Sequence, residues 1–268
     1  MTDIKPMLAE NVDPSVLIKH AEDSRYVYQQ KLDGIRLMAV VEDGTVTALL
    51  NRRGESTVTD VPMSVRRQLA TMPMGKWVLD GELIDGAFWL FDLYGTDETF
   101  KDRHAILTKL FKLWAPTKAI RLLPVAKTRV KKLGLAKSVL ANGGEGIIIR
   151  DSNARYKQGI RSSALMKAKF VKDADFIATG LNKYGRSNIS IGLLDEAGEV
   201  VNVGEVTANA GDGKKVKVGD VITVRYLYCT DDLRIYQPNL PRLRKDKKKS
   251  ECTLDQLIFV DKRVLTKW

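Results

Sequence analysis

Short alternating runs of apolar and polar residues dominate the first third of the chain. From Tyr26 to Leu50 three β-like runs follow one another, YVYQQ, IRLMAVV and TVTALL, and Glu42-Asp43-Gly44 between the last two predicts a hairpin turn. Pro62 to Met72 has helical spacing, with Asp60 as its expected cap. Trp77 to Leu83 and Ala87 to Leu93 predict two strands around the turn Asp85-Gly86. Asp102 to Trp114 places Ile106, Leu107, Leu110 and Leu113 at helical intervals. Ile120 to Val125 predicts a strand. Thr128 to Leu140 predicts a helix stopped by Asn142-Gly143-Gly144, and Ile147 to Arg150 a short buried strand.

The pattern changes after Lys172. FIATGL, ISIGLLD, VVNVGEV and VITVRYLY are short strands separated by glycine-bearing turns, the spacing of a small all-β barrel. Two domains are therefore expected, residues 1–172 and 173–268, with Thr253 to Leu265 as an apolar tail packing back onto the barrel. The fold class is α+β, with antiparallel sheets and flanking helices first and the all-β unit second.

Composition narrows the partners. A formal net charge of +11 favours a polyanion, either nucleic acid or an anionic surface. Two cysteines, Cys229 and Cys252, cannot build a four-thiolate zinc site or a disulfide framework, and are expected as reduced thiols. The opening MTDIKPMLAENVD has no apolar core of a signal peptide, and no apolar run approaches the roughly 18 residues of a membrane span. A cytoplasmic setting away from membranes is expected.

The chemistry-bearing residues fall into separate clusters. Lys31-Leu32-Asp33-Gly34-Ile35-Arg36 sits between two β-like runs. A lysine there can serve as a nucleophile if its amine is uncharged, Gly34 lets backbone pass close to a ligand, and Arg36 can meet a phosphate. Asn51-Arg52-Arg53-Gly54 follows the second strand and adds further basic groups. Leu79-Asp80-Gly81-Glu82-Leu83 and Leu90-Phe91-Asp92-Leu93-Tyr94 bring carboxylates and an aromatic into apolar strands. Gly144-Glu145-Gly146 precedes the strand ending at Arg150. Lys167 and Lys169 alternate, which aims both at one face of a strand. Each cluster alone also fits a solvated turn or strand face. Together they supply an amine, cations for a triphosphate, carboxylates for a divalent metal and an aromatic for a base.

The ordered set KLDGIR, NRRG, LDGEL, LFDLY, EGIIIR and LMKAK resembles the covalent nucleotidyltransferase superfamily of DNA ligases, RNA ligases and capping enzymes. The segment YKQGIRSSALMKAK is similar to the approach to the last of these motifs in ATP-dependent DNA ligases. KDADFIATG, IGLLDEAGEVVNVGE and the stretch through RLRKDK are similar to the ligase OB domain. The resemblance implies an adenylation domain followed by an OB-fold barrel, ATP and Mg2+ as cofactors, and a monomer sealing nicked duplex DNA.

It also implies roles. Lys31 would carry the adenylate, Gln29 would contact the adenine edge, and Phe91 would stack on the base. Arg36 and Arg52 would hold phosphates, Glu82 the ribose, and Lys167 and Lys169 the α-phosphate. Glu145 and Asp33 would attend the metal, with Asp33 also activating the 3′ hydroxyl. Arg244, Asp246 and Lys247 match the R-x-D-K motif that covers the pyrophosphate. With 30 residues before Lys31, neither a large helical DNA-binding domain nor a nicotinamide-reading module is expected, which favours ATP as donor. Lys183-Tyr184-Gly185-Arg186 is a candidate DNA-contacting turn. An RNA ligase or a GTP-using capping enzyme is the nearer alternative, against which the likeness of the second half counts. A non-catalytic nucleic-acid binder is the further one, against which Lys31, Glu145, Lys167 and Lys169 count.

Overall fold

The structure is a computed structural model and describes residues 4–57, 60–142, 144–182, 188–208 and 215–258. The candidate turn 183–186 and the tail from 259 lie outside the described residues. The chain divides into two compact units between Lys169 and Phe170, three residues ahead of the boundary expected from composition. Strand pairing accounts for the difference: β10 (Lys172–Asn182) already pairs with β13 (Val221–Tyr226) from Lys172, so the two residues before it go with the second unit.

The first unit holds two sheets. One runs in the order β4 (Thr45–Leu50), β3 (Ile35–Glu42), β5 (Lys76–Ile84), β6 (Ala87–Tyr94), β7 (Ile120–Leu122). Its hairpins turn at Asp43-Gly44 and Asp85-Gly86, where all four residues take positive φ, as a two-residue turn between right-twisted strands requires. The strand β3 is buried on both faces. Leu37, Ala39 and Val41 join a core with Val65 and Leu69 of α2 (Met63–Leu69) and Leu107 and Leu110 of α3 (Phe100–Trp114). Met38 and Val40 point the other way, toward Ile4 and Val78. Period-two alternation thus gives one strand two cores.

The other sheet runs β1 (Leu8–Val12), β9 (Arg161–Lys169), β8 (Gly146–Asp151), β2 (Tyr26–Lys31). Behind it, α1 (Val16–Glu22) is tied to α4 (Arg129–Ala141) by Lys132, whose buried ammonium donates to the carbonyls of Ala21 and Asp23 at 3.2 and 2.7 Å. Tyr28 of β2 donates its hydroxyl to the Leu17 carbonyl at 2.6 Å. Among the described residues, no helix is long and apolar enough to cross a membrane.

Several expectations need correction. Asp60 does not cap α2; Pro62 stands at that position with no side-chain bond, and Asp60 instead accepts the Thr57 hydroxyl at 2.6 Å. The cap of α3 is Thr99, which starts that helix two residues early. Leu113 lies on its outer face, 77% exposed. The strand predicted to Val125 ends at Leu122.

In the second unit the pairing order is β10, β11 (Asn188–Leu194), β12 (Val200–Thr207), β14 (Asn239–Leu243), β13, and β13 pairs back onto β10. The β12–β14 link rests on Thr207 opposite Asn239. Its core gathers Phe176, Ile191, Val203, Ile222 and Tyr226, with Cys229 and Cys252 as buried free thiols and Leu257 of the tail packed in. Burial pushes the Cys252 thiol up to about 11.

Candidate active site

A cleft of about 330 Å³ lies within the first unit, lined by residues of both its sheets. Register decides which side chains face it. Lys31, Gly146 and Lys169 form one cross-strand row of β2, β8 and β9, and Gln29, Ile148 and Lys167 form the next. Arg150, two residues further along β8, shares their parity. From the other sheet come Arg36, Glu82 and Phe91. Phe91 is the extra residue of a bulge: Asp80 pairs with Asp92 and Gly81 with Leu90, so Leu90 and Leu93 both stay in the helix-side core while Phe91 joins the cleft.

The lysine cluster is ordered by local backbone. At Gly34 a Cβ would stand 2.5 Å from the Leu83 carbonyl oxygen, so only glycine lets the chain cross there from one sheet to the other. Gly146 takes φ 151° and approaches the Ala168 carbonyl as closely, which sets Glu145 at the mouth of β8. The Lys31 ammonium donates to Glu145 Oε2 at 2.5 Å, and Lys169 stands 3.6 Å from the other carboxylate oxygen. Burial lowers the Lys167 pKa below the ordinary lysine value, and the charges of Lys169, Arg161, Arg52 and Lys31 add to that.

Opposite, Arg36 donates to both carboxylate oxygens of fully buried Asp80, each at 2.6 Å, and its guanidinium lies 4.7 Å from the Phe91 ring centre. Burial opposes that charge, but Asp80 more than offsets it, and Arg36 is held above the ordinary arginine value. The Tyr156 hydroxyl donates to Asp80 at 2.6 Å and accepts from the Met7 amide at 3.0 Å. Burial pushes the Glu82 carboxyl up to about 7, against the pull of Arg36 and Lys31.

Deeper in the cleft, Arg150 donates to Gln29 Oε1 at 2.7 Å and to Asp92 at 2.9 Å. Arg103, also buried, holds Asp92 from the other side at 2.8 Å. Burial lowers the Arg150 pKa, with Asp92 opposing. Asp80, Arg103, Arg150 and Tyr156 received no role from sequence. For Arg150 the signal was present, since it alternates with Gly146 and Ile148 along one strand face.

Arg52 lines the cleft, while Arg53 is exposed and lies 4.0 Å from Glu55. Asp33 lines the cleft on its exposed rim. Arg244, Asp246 and Lys247 belong to the second unit. There Arg244 forks onto Asp246 at 2.8 and 2.7 Å and reaches Asp175 at 3.2 Å, and Lys247 pairs with Glu251 at 3.2 Å. The Arg244 hydrogen bonds hold the Asp246 carboxyl well below the ordinary range.

Among the described residues no group of three or more His, Cys, Asp or Glu could hold a metal alone. The cleft offers separate carboxylates, Glu82, Glu145 and Asp33. That donor set suits a magnesium ion sharing its ligands with phosphates and water rather than a protein cage.

The family model of the ATP dependent DNA ligase domain matches residues 6–89 and 85–169, more than half the chain. The chain belongs to that family. It is 26% identical to a DNA ligase of Methanothermobacter thermautotrophicus over 255 residues, covering 78% of this chain and 45% of that protein. It is 24% identical to a DNA ligase of African swine fever virus, covering 90% of this chain and 61% of that one. The chain thus spans about half to three fifths of the curated ligases it matches. Among solved structures, mycobacterial DNA ligase D complexed with ATP and MES superposes with a TM-score of 0.67 at 22% identity, over 94% of this chain and 99% of that one. The ligase domain of M. tuberculosis LigD gives 0.53 at 21% identity, with the same coverage. Within this ligase fold, the cleft collects every first-unit residue to which the sequence assigned a role.

Proposed function

We propose that the chain is an ATP-dependent DNA ligase that seals nicks in duplex DNA as a monomer. The observation that carries this is the ion-pair cluster of Lys31, Glu145 and Lys169 in a cleft that also holds Phe91 and Glu82. Lys31 attacks the α-phosphorus of ATP through Nζ. A P–N bond forms, the bond from that phosphorus to the bridging oxygen breaks, and pyrophosphate leaves. Glu145, 2.5 Å from the amine, is the group placed to take its proton. Lys167 and Lys169 neutralise the α-phosphate as charge builds, and Arg36 and Arg52 hold phosphates. Phe91 stacks on the base, Gln29 contacts its edge and Glu82 the ribose.

The adenylate then passes to the 5′ phosphate of the nick, and attack by the 3′ hydroxyl, helped by Asp33, releases AMP. Glu145 and Asp33 are the residues that would hold a magnesium ion, which would supply charge neutralisation at the phosphoryl group. We read the first unit as the adenylation domain and the second as an OB fold whose Arg244, Asp246 and Lys247 assist departure of pyrophosphate. The net charge of +11 suits a clamp on DNA whose affinity falls as salt rises.

The test is incubation with labelled ATP and magnesium, mass mapping of the modified side chain, and a nicked-duplex assay. Label on Lys31 and a sealed product are expected. An enzyme that never gains adenylate at that position would end this reading.

A further inference from the structure

We propose that Arg150 is a positioning residue that fixes the orientation of the Gln29 amide and so makes the cleft select adenine over guanine. This rests on the ATP reading above and adds the origin of base choice.

A glutamine amide is ambiguous: turned over, it exchanges an acceptor for a donor. Here both neighbours demand the same orientation. Arg150 Nε lies 2.7 Å from one amide atom, and a guanidinium only donates, so that atom is the oxygen. The other amide atom lies 3.5 Å from the Leu123 carbonyl oxygen, which only accepts, so that atom is the nitrogen. Gln29 is 1% exposed and Arg150 5%, so water cannot rescue a reversed amide that would set donor against donor. Arg150 is itself pinned. Its Nη1 donates to buried Asp92, which also accepts from Arg103 Nε.

Gln29 and Leu123 both line the cleft. In the proposed arrangement the second Gln29 N–H and the Leu123 carbonyl oxygen, 3.5 Å from Nε2, serve as donor and acceptor to the base. The Watson–Crick edge of adenine carries the complement, the N6 amine donor beside the N1 acceptor. Guanine carries O6 and N1–H in those two places, and would set O6 against the Leu123 carbonyl and N1–H against the Gln29 N–H; a turned amide relieves the second of these clashes. An amide free to turn could adapt to guanine; one clamped by Arg150 cannot.

The experiment measures dissociation constants of the non-hydrolysable α,β-methylene analogues of ATP and GTP, with magnesium, for the full chain and for Arg150→Gln and Arg150→Lys. Glutamine at 150 can donate or accept and leaves the Gln29 amide free. Lysine only donates and keeps the clamp. Arg150→Gln should narrow the ATP-over-GTP preference by about tenfold or more, the worth of one buried hydrogen bond, while Arg150→Lys retains most of it. A folded Arg150→Gln protein with the parent ratio overturns the proposal.

If that variant does not fold, the parent protein and the inosine analogue decide. Inosine keeps the guanine O6 and N1–H but lacks the 2-amine. It should be rejected as GTP is, and binding equal to ATP overturns the proposal. A parent protein that binds neither the ATP nor the GTP analogue refutes the ligase reading itself, whereas one that binds ATP with no change on losing Arg150 refutes the clamp alone.

Discussion

Arg36 and Asp80 meet as a two-pronged ion pair, with both nitrogen–oxygen distances at 2.6 Å and the carboxylate wholly buried. Removing one partner of such a pair strands the other charge. Asp80→Ala should therefore destabilise the protein by about 3–5 kcal/mol in urea unfolding. Tyr156→Phe, which deletes one hydrogen bond to the same carboxylate, should cost about 1.5–3 kcal/mol. Equal, small losses for both would show that the pair carries no such weight.

Lys31→Ala should abolish labelling by ATP while the thermal midpoint stays within a few degrees, because Glu145 keeps Lys169 as a neighbour 3.6 Å away. Normal labelling of the variant would contradict the assignment of the nucleophile.

Lys169→Ala should slow adenylate transfer in a single turnover by about 100-fold, the typical scale for one donor aimed at developing charge. An unchanged single-turnover rate would remove Lys169 from the phosphate site.

Glu82 ties stability to pH. Its folded pKa stands at about 7 against an ordinary 4.5, so between those values the folded state holds a proton that the unfolded chain has released. Stability from this group is then full below about pH 4.5, falls as pH rises to 7, and is level above it. At about 1.4 kcal/mol per pH unit the loss is at most about 3 kcal/mol. Glu82→Gln should abolish this slope, raising stability relative to the parent more at pH 8 than at pH 4.5. Parallel pH profiles for the two proteins would rule it out.

Arg244→Ala should impair formation of the enzyme adenylate from ATP at least about tenfold more than sealing of a nick that already carries AMP. Equal losses in the two assays would detach the R-x-D-K residues from pyrophosphate departure.

The individual chemical groups were legible in the sequence because each sits in a short local motif. Lys31, Glu82, Phe91, Glu145, Lys167 and Lys169 all reach the cleft. What the motifs could not convey is pairing at a distance. YVYQQ and IRLMAVV read as neighbours, yet they lie in different sheets, since β2 pairs with β8, whose first residue is 115 positions after Lys31. For Arg150 the alternation along β8 gives its face but not its partners. Its meaning depends on Gln29 and Asp92, and neither is near it in the chain. Nothing local sets Asp80 apart from Glu82; its place comes from Arg36 and Tyr156, which both bond to it. β1, α1 and β14 carry too little periodicity to stand out, and tertiary pairing supplies what local preference lacks.

The segment from Ile4 to Val12 contains none of the motifs, yet it runs parallel to β9 with Asn11 beside Lys167, covers Val40 and Val78 through Ile4, and lends Met7 to Tyr156. Anyone cutting into this segment would be editing a wall of the cleft, which Leu8 and Ala9 line. Losing that segment would bare the edge of β9, the strand that carries Lys167 and Lys169.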